Sequence, residues 1–145
     1  MIGIIGGAGV AATNKLCELL ENRLTQDGAY RDAHHPELIV YHTTQAPSRS
    51  MYLEGKGPSF IEDYIAVGKK LKSAGATVLC MCCNTAHFAI DEIQSQIGLP
   101  FINMVEEVIL EVQKKEIKKV GLIAIDGCSK GKVYEKYFYK LFLFR

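Results

Sequence analysis

The run Leu79–His87, LCMCCNTAH, holds three of the chain's five cysteines and follows them with an Asn-Thr pair. Thiols so placed can ligate a metal, form a redox pair, act as nucleophile or base, or fill a core. Zinc sites use C-x-x-C or H-x-x-x-H spacings on loops able to wrap the ion, whereas Cys80, Cys82 and Cys83 end an apolar run. No metal site is therefore expected, and a dithiol redox motif fits only if the strand pattern is ignored. Alternation along a strand points Cys80 and Cys82 to one face and Met81 and Cys83 to the other. Cys80 and Cys82 read as small buried hydrophobes. Cys83 differs, because it lies where the strand gives way to a helix for which Asn84-Thr85 offers an N-cap. Free amides and the dipole at a helix start favour a thiolate. Asn84 and Thr85 add donors that could hold a carboxylate, and His87 lies within one turn. A third core cysteine beside an ordinary cap explains the same spacing, so both readings stand.

The other chemically suggestive stretches are weaker. Gly7-x-Gly9-x-x-Ala12, after one apolar run and before another, matches part of a dinucleotide fingerprint. The acidic ribose anchor is missing from the second strand, which ends Val40-Tyr41-His42-Thr43, so no nicotinamide cofactor is expected. A tight turn that needs glycine and a small anion site remain equal alternatives for this loop. His34 and His35 precede Pro36 in a polar surface turn, with no acidic or histidine cluster beside them.

The elements that must position these residues alternate between short β-like and longer helical runs, the signature of βα units around a parallel sheet. Strands are expected at Ile2–Ile5, Leu38–His42, Thr77–Cys82, Leu99–Asn103 and Val120–Ile125. Helices are expected at Ala12–Leu24, from a Ser59-x-x-Glu62 capping box to Ala74, and at Thr85–Ile97 and Val105–Lys115. Thr43–Pro58 reads as a long polar loop carrying Arg49, and loops of that length in compact domains are usually functional. Ligands of parallel sheets bind at the carboxyl ends of strands, which singles out the loops after Ile5, His42 and Cys82. Residues Lys132–Arg145 form a broad apolar helical face through Tyr134, Tyr137, Phe138, Leu141, Phe142 and Phe144. That face docks on the sheet, pairs with a partner chain, or belongs to a shortened version of a longer protein, and a homodimer is the expected assembly.

A net charge of +1 provides no electrostatic footprint for nucleic acid or an anionic membrane. No apolar run approaches the roughly 20 residues of a membrane span. With no secretory signal and an odd, clustered set of cysteines, reduced thiols in a cytoplasmic setting are expected. At 145 residues the chain can bury a core without disulfide or metal staples.

Three segments together, Ile2-Gly3-Ile4-Ile5-Gly6-Gly7-Ala8-Gly9, Gln45-Ala46-Pro47-Ser48-Arg49 and Cys83-Asn84-Thr85-Ala86-His87, resemble the aspartate/glutamate racemase family. The resemblance extends through Val133-Tyr134-Glu135-Lys136. It implies an α/β fold of three layers, α/β/α, around a parallel sheet, and amino-acid racemisation without pyridoxal phosphate or any other cofactor. In that family two similar domains flank the substrate, and each supplies one cysteine: one thiolate removes the α-proton and the opposite thiol delivers one to the other face. By matching motif, Cys83 is one of the pair. Asn84, Thr85, Arg49, Gln45 and Gly7 are the substrate-binding set, with Arg49 placed for a carboxylate. The substrate implied is an acidic amino acid or another dicarboxylate.

The chain departs from the family pattern at Ala8 and Val10 in the glycine loop, at His42, at Ser48 before the arginine, and at Ile125-Asp126-Gly127-Cys128 in place of a Thr-rich loop. Family members run to about 230 residues, within the size of one or two domains. The expected division is therefore residues 1–104 as the first domain and 105–145 as a connecting helix plus the first βα unit of an incomplete second domain. The second catalytic cysteine falls in the part not represented, so the expectation is a racemase scaffold with impaired turnover. The alternatives are a carboxylate-binding or dimerising module derived from that fold, or an enzyme using Cys83 as covalent nucleophile.

Overall fold

The computed structural model describes the backbone of residues 1–142 and the side chains through Tyr139. Four strands, β1 (Ile2–Gly6), β2 (Leu38–His42), β3 (Val78–Met81) and β4 (Phe101–Ile102), form one sheet in the order β2-β1-β3-β4, with every pairing parallel. The registers Ile4↔Val40, Ile4↔Cys80 and Cys80↔Ile102 set one row of side chains across one face. The row Ile39–Gly3–Leu79–Phe101 crosses the other. Helix α3 (Ile61–Ser73) closes on this second face through Ile61, Tyr64, Ile65 and Leu71, and α4 (Ile90–Ile97) packs beside it through Ile93 and Ile97. Glycine permits both approaches. A Cβ on Gly3 would meet Leu79 and Leu71, and one on Gly68 would overlap Ile97.

On the opposite face, α1 (Val10–Gln26) brings Cys17 to within electrostatic reach of Cys80 and Cys82. Cover there is thinner, since Val40 and Ile102 stay exposed. The three-layer α/β arrangement expected from the alternation is what the chain adopts.

Three local expectations are corrected. The capping box is not formed: α3 begins at Ile61 after Phe60, and the Ser59 hydroxyl accepts from the Ile61 N–H at 3.2 Å, one position short of the box geometry. The polar loop Thr43–Pro58 contains a short helix α2 (Arg49–Leu53), capped by Ser48, whose hydroxyl accepts from the Met51 N–H at 3.3 Å. The expected strand Val120–Ile125 pairs with nothing among the described residues, and Ile123 is fully exposed. A strand exists through its ladder partner, so an apolar run without a neighbouring strand stays irregular.

Helix α5 (Met104–Lys114) is capped by Asn103, whose Oδ1 accepts from the N–H groups of Val105 and Glu106. After the irregular segment come α6 (Asp126–Lys130) and α7 (Glu135–Phe142). Val105, Ile109, Cys128, Val133 and Tyr137 join the same buried cluster as the core of residues 1–104. Of the apolar C-terminal face, Tyr137 is buried and Phe138 packs against the core, while Tyr139 is exposed. The side chains of Leu141 and Phe142, and all of Phe144, lie outside the described residues.

Candidate active site

The turn leaving β1 needs glycine. Gly7 has φ +87°, a left-handed conformation, and a Cβ there would stand 2.8 Å from the Thr43 amide nitrogen. The Gly7 N–H donates to Thr13 Oγ1 at 3.1 Å, and the Thr13 hydroxyl donates to the Gly9 carbonyl at 3.2 Å. This amide is spent inside the turn, which favours the tight-turn alternative over an anion cradle at Gly7. Replacing Gly7 by Ala is expected to cost at least about 2 kcal/mol, since left-handed strain alone accounts for roughly 1–2 kcal/mol and the backbone clash adds to it. Urea unfolding of the two proteins measures the difference, and a loss below half that size would contradict the assignment.

At the other side of the same sheet edge, β3 ends at Met81, one residue sooner than the apolar run suggests. Leu79 and Met81 are buried against α3, and Cys80 turns to the opposite face, as alternation requires. Burial pushes the Cys80 thiol up to about 11, with Cys82 and Cys17 adding to the effect. Past Met81 the alternation lapses. Cys82 and Cys83 both line one cavity of about 440 Å³, so Cys82 is not the purely internal hydrophobe expected. Ala8 and Ala12 of the glycine turn, Asn84 and Thr85, the 122–125 segment, Cys128 and Tyr134 complete the wall.

The helix following Cys83 is built in two parts, a 3-10 turn over Thr85–Ala89 and then α4. Asn84 has helical φ and ψ and makes no capping bond, contrary to the expected N-cap. Its Oδ1 instead accepts from the Tyr134 hydroxyl. Thr85 is buried.

His87 has a positioning role that spacing alone only hinted at. Its ring is fully buried, with Nδ1 at 2.7 Å from the Cys83 carbonyl and Nε2 accepting from the Met104 N–H at 3.3 Å. Because Met104 donates, Nε2 carries no proton. The Cys83 carbonyl can only accept, so Nδ1 carries it. The i, i+4 spacing brings the ring back over the preceding turn. Burial pushes His87 below its ordinary value, against the bond to Cys83, and Lys136 lowers it further. It is a neutral pin between the Cys83 turn and the start of α5.

Tyr64 was also missed from sequence, where it reads as one more apolar position of α3. Its hydroxyl is buried and has no hydrogen-bond partner among the described residues. Burial raises the phenol, the Cys83 thiol adds to the rise, and Arg49 opposes it, so the three groups share one neighbourhood.

The structure gathers Cys83, Asn84 and Thr85 on the cavity but not the whole expected set. Arg49 is half-buried at the start of α2, and its Nη1 donates to the Pro47 carbonyl at 3.1 Å. Neither Arg49 nor Gly7 lines the cavity wall. Gln45 lies on a separate groove of about 200 Å³, with His42, Thr43, Asp63 and Lys70. Cys128 is the unexpected member. Its buried thiol is pushed up by desolvation, then by Glu135 and Cys83. Among the described residues no cluster of His, Cys, Asp or Glu could hold a metal ion, and no helix is long and apolar enough to cross a membrane.

A parallel α/β sheet with a cysteine beyond the carboxyl end of a central strand, flanked by amide and hydroxyl donors, defines the class of α/β proteins that bind small ligands at that edge of the sheet. Residues 2–141 match the family model described as Asp/Glu/Hydantoin racemase, and the chain belongs to that family. The broad specificity amino-acid racemase RacX of Bacillus subtilis (strain 168) is 26% identical over 139 residues, covering 94% of this chain and 59% of that one. The aspartate racemase of Picrophilus torridus superposes with a TM-score of 0.82 at 26% identity, covering 96% of this chain and 58% of that one. An aspartate racemase homologue from Pyrococcus horikoshii OT3 shares the fold, with a TM-score of 0.74 at 23% identity, covering 96% and 60%. The chain thus spans about three fifths of the length of these relatives.

Proposed function

We propose that this chain carries out cofactor-independent proton transfer at the α-carbon of an acidic amino acid, with Cys83 as the base. The observation that carries the reading is the placement of Cys83, Asn84 and Thr85 together on one cavity at the end of β3, in a chain of the racemase family. In the bound state, the Cys83 thiolate takes the α-proton and the electron pair passes into the α-carboxylate, forming a planar intermediate. Asn84 and Thr85 donate hydrogen bonds to that carboxylate, where charge accumulates. Arg49 and Gln45 are assigned to outer parts of the substrate, beyond the cavity that holds Cys83.

Returning a proton from the same face restores the starting enantiomer, while inversion needs a donor on the opposite face. With one thiol assigned, hydrogen exchange should outrun inversion. Incubation of L-aspartate and L-glutamate in D2O, followed by proton NMR and chiral chromatography, tests this. Deuterium uptake at Cα with little D-product is expected. Absence of exchange for both substrates would overturn the catalytic reading. Exchange and inversion at equal rates would place a second donor within this chain, and Cys128, on the same cavity, is the thiol available.

A second reading, carboxylate binding without turnover, is favoured by the cavity's pairing of Asn84 and Thr85 beside Cys83 while Arg49 and Gln45 stand off it. Calorimetric binding of L-aspartate without exchange would select it.

A further inference from the structure

Two asparagines follow neighbouring strands of the sheet, Asn84 in the turn beyond β3 and Asn103 directly after the edge strand β4. Each is tied to a tyrosine from the C-terminal part of the chain, Asn84 to Tyr134 and Asn103 to Tyr137. The two tyrosines are three residues apart, the spacing that puts neighbours on one side of a helical turn.

The two pairs are wired in opposite senses. Asn103 Oδ1 is committed to the N–H groups of Val105 and Glu106, at 3.1 and 3.4 Å. Its Nδ2 must therefore face Tyr137, whose oxygen accepts at 2.8 Å. Asn103 is buried, so this pair belongs to the helix cap. Asn84 makes no capping bond and its Oδ1 takes the proton of the Tyr134 hydroxyl. No hydrogen bond of the described residues uses Asn84 Nδ2, and both Asn84 and Tyr134 line the Cys83 cavity. A carboxamide is ambivalent, one end accepting and the other donating. Beside an anion the donor end attracts and the acceptor end repels, so the group that holds Oδ1 decides what the cavity selects.

We infer that Tyr134 is a positioning residue, whose hydroxyl anchors Asn84 Oδ1 and thereby presents the Asn84 Nδ2 donors to a substrate carboxylate beside Cys83. The inference deepens the proposed function and rests on its carboxylate site. Supporting it, burial raises the Tyr134 phenol, with Cys128 adding to the effect, so the hydroxyl keeps its proton for donation.

Calorimetric titration with L-aspartate and with succinate tests the arrangement, with unfolding curves run on every variant. Tyr134→Phe should weaken binding about tenfold, the order expected when a donor to a charged group is lost. Asn84→Ala should weaken it comparably, and in the Asn84→Ala background Tyr134→Phe should have no further effect, because the hydroxyl acts only through Asn84. Asn84→Asp keeps an oxygen for Tyr134 but turns a second oxygen on the ligand, and should abolish binding. Tyr137→Phe should lower stability and leave the affinity unchanged. Wild-type binding with an unchanged Tyr134→Phe affinity, or additive losses in the double variant, would overturn the Tyr134 assignment alone. Wild-type failure to bind either probe would overturn the carboxylate site, and this inference with it.

Discussion

Cys83→Ser is expected to lower hydrogen exchange at the substrate α-carbon by about 10²- to 10⁴-fold, the usual contribution of a positioned base. Serine preserves the side chain's shape, but its hydroxyl is a far weaker acid than a thiol and a far poorer source of the anion that the proposed proton transfer uses. Cys83 is half-buried at the edge of the core cluster, so the smaller oxygen should be accommodated with little loss of stability. Cys80→Ser is the matched control. That thiol does not line the cavity, and its value of about 11 keeps it protonated, so exchange should be retained. Deuterium incorporation followed by NMR provides both rates. A Cys83→Ser protein keeping more than about a tenth of wild-type exchange would fall outside the range of a lost base and would move the role to another group on the cavity.

His87→Ala is expected to destabilise the fold by at least about 2 kcal/mol. It removes the partners of the Cys83 carbonyl and the Met104 N–H, each costing roughly 1–3 kcal/mol when left unsatisfied in a buried setting, and opens a cavity besides. His87→Gln supplies one donor and one acceptor and should recover part of the loss. The same ring makes stability depend on pH. Its folded value lies below the ordinary 6.5 because of burial. Above about pH 6.5 both folded and unfolded chains hold a neutral ring and the stabilisation is complete. As pH falls below that point the unfolded chain takes up the proton first, so stability declines by up to about 1.4 kcal/mol per pH unit until the folded ring titrates. Protonating Nε2 also breaks the Met104 bond and places a positive charge at the N-terminus of α5, where the dipole opposes it. The other charged group acting on the ring is Lys136, whose own ion pair with Asp91 spans 3.8 Å at the surface. Urea unfolding at pH 7.5 and 5.5 measures both effects. An equal drop with pH in wild type and His87→Gln would show that the acid sensitivity lies elsewhere.

Much of the scaffold was legible in the chain because it is written in short-range patterns. Alternating apolar runs marked β1, β2 and β3, and helical spacing marked α1, α3 and α5. The parallel sheet follows from their order, since strands separated by helices return to the same edge. Cys83 stood out because a thiol at a strand exit before a helix has a physical reason to be reactive. What escaped notice depends on partners distant in sequence. Val120–Ile125 has a strand's composition, but a ladder needs a neighbour, and apolar content cannot supply one. Asn84-Thr85 has the residue types of a cap, yet Tyr134, fifty positions away, claims the asparagine oxygen. Tyr64 reads as an ordinary core aromatic until its hydroxyl is seen buried near Cys83 and Arg49, with no hydrogen-bond partner among the described residues.

By itself, then, the sequence determined the α/β class, the strand exit that holds Cys83 and the family the chain belongs to, all of which rest on local periodicity and contiguous motifs. Tertiary structure decided which of the candidate residues share a cavity. It set Cys82 and Cys128 beside Cys83, left Gln45 on a separate groove and made His87 a neutral pin. The physical reason is that hydrogen-bond direction and burial are properties of pairs brought together by the fold, and no spacing along the chain records them.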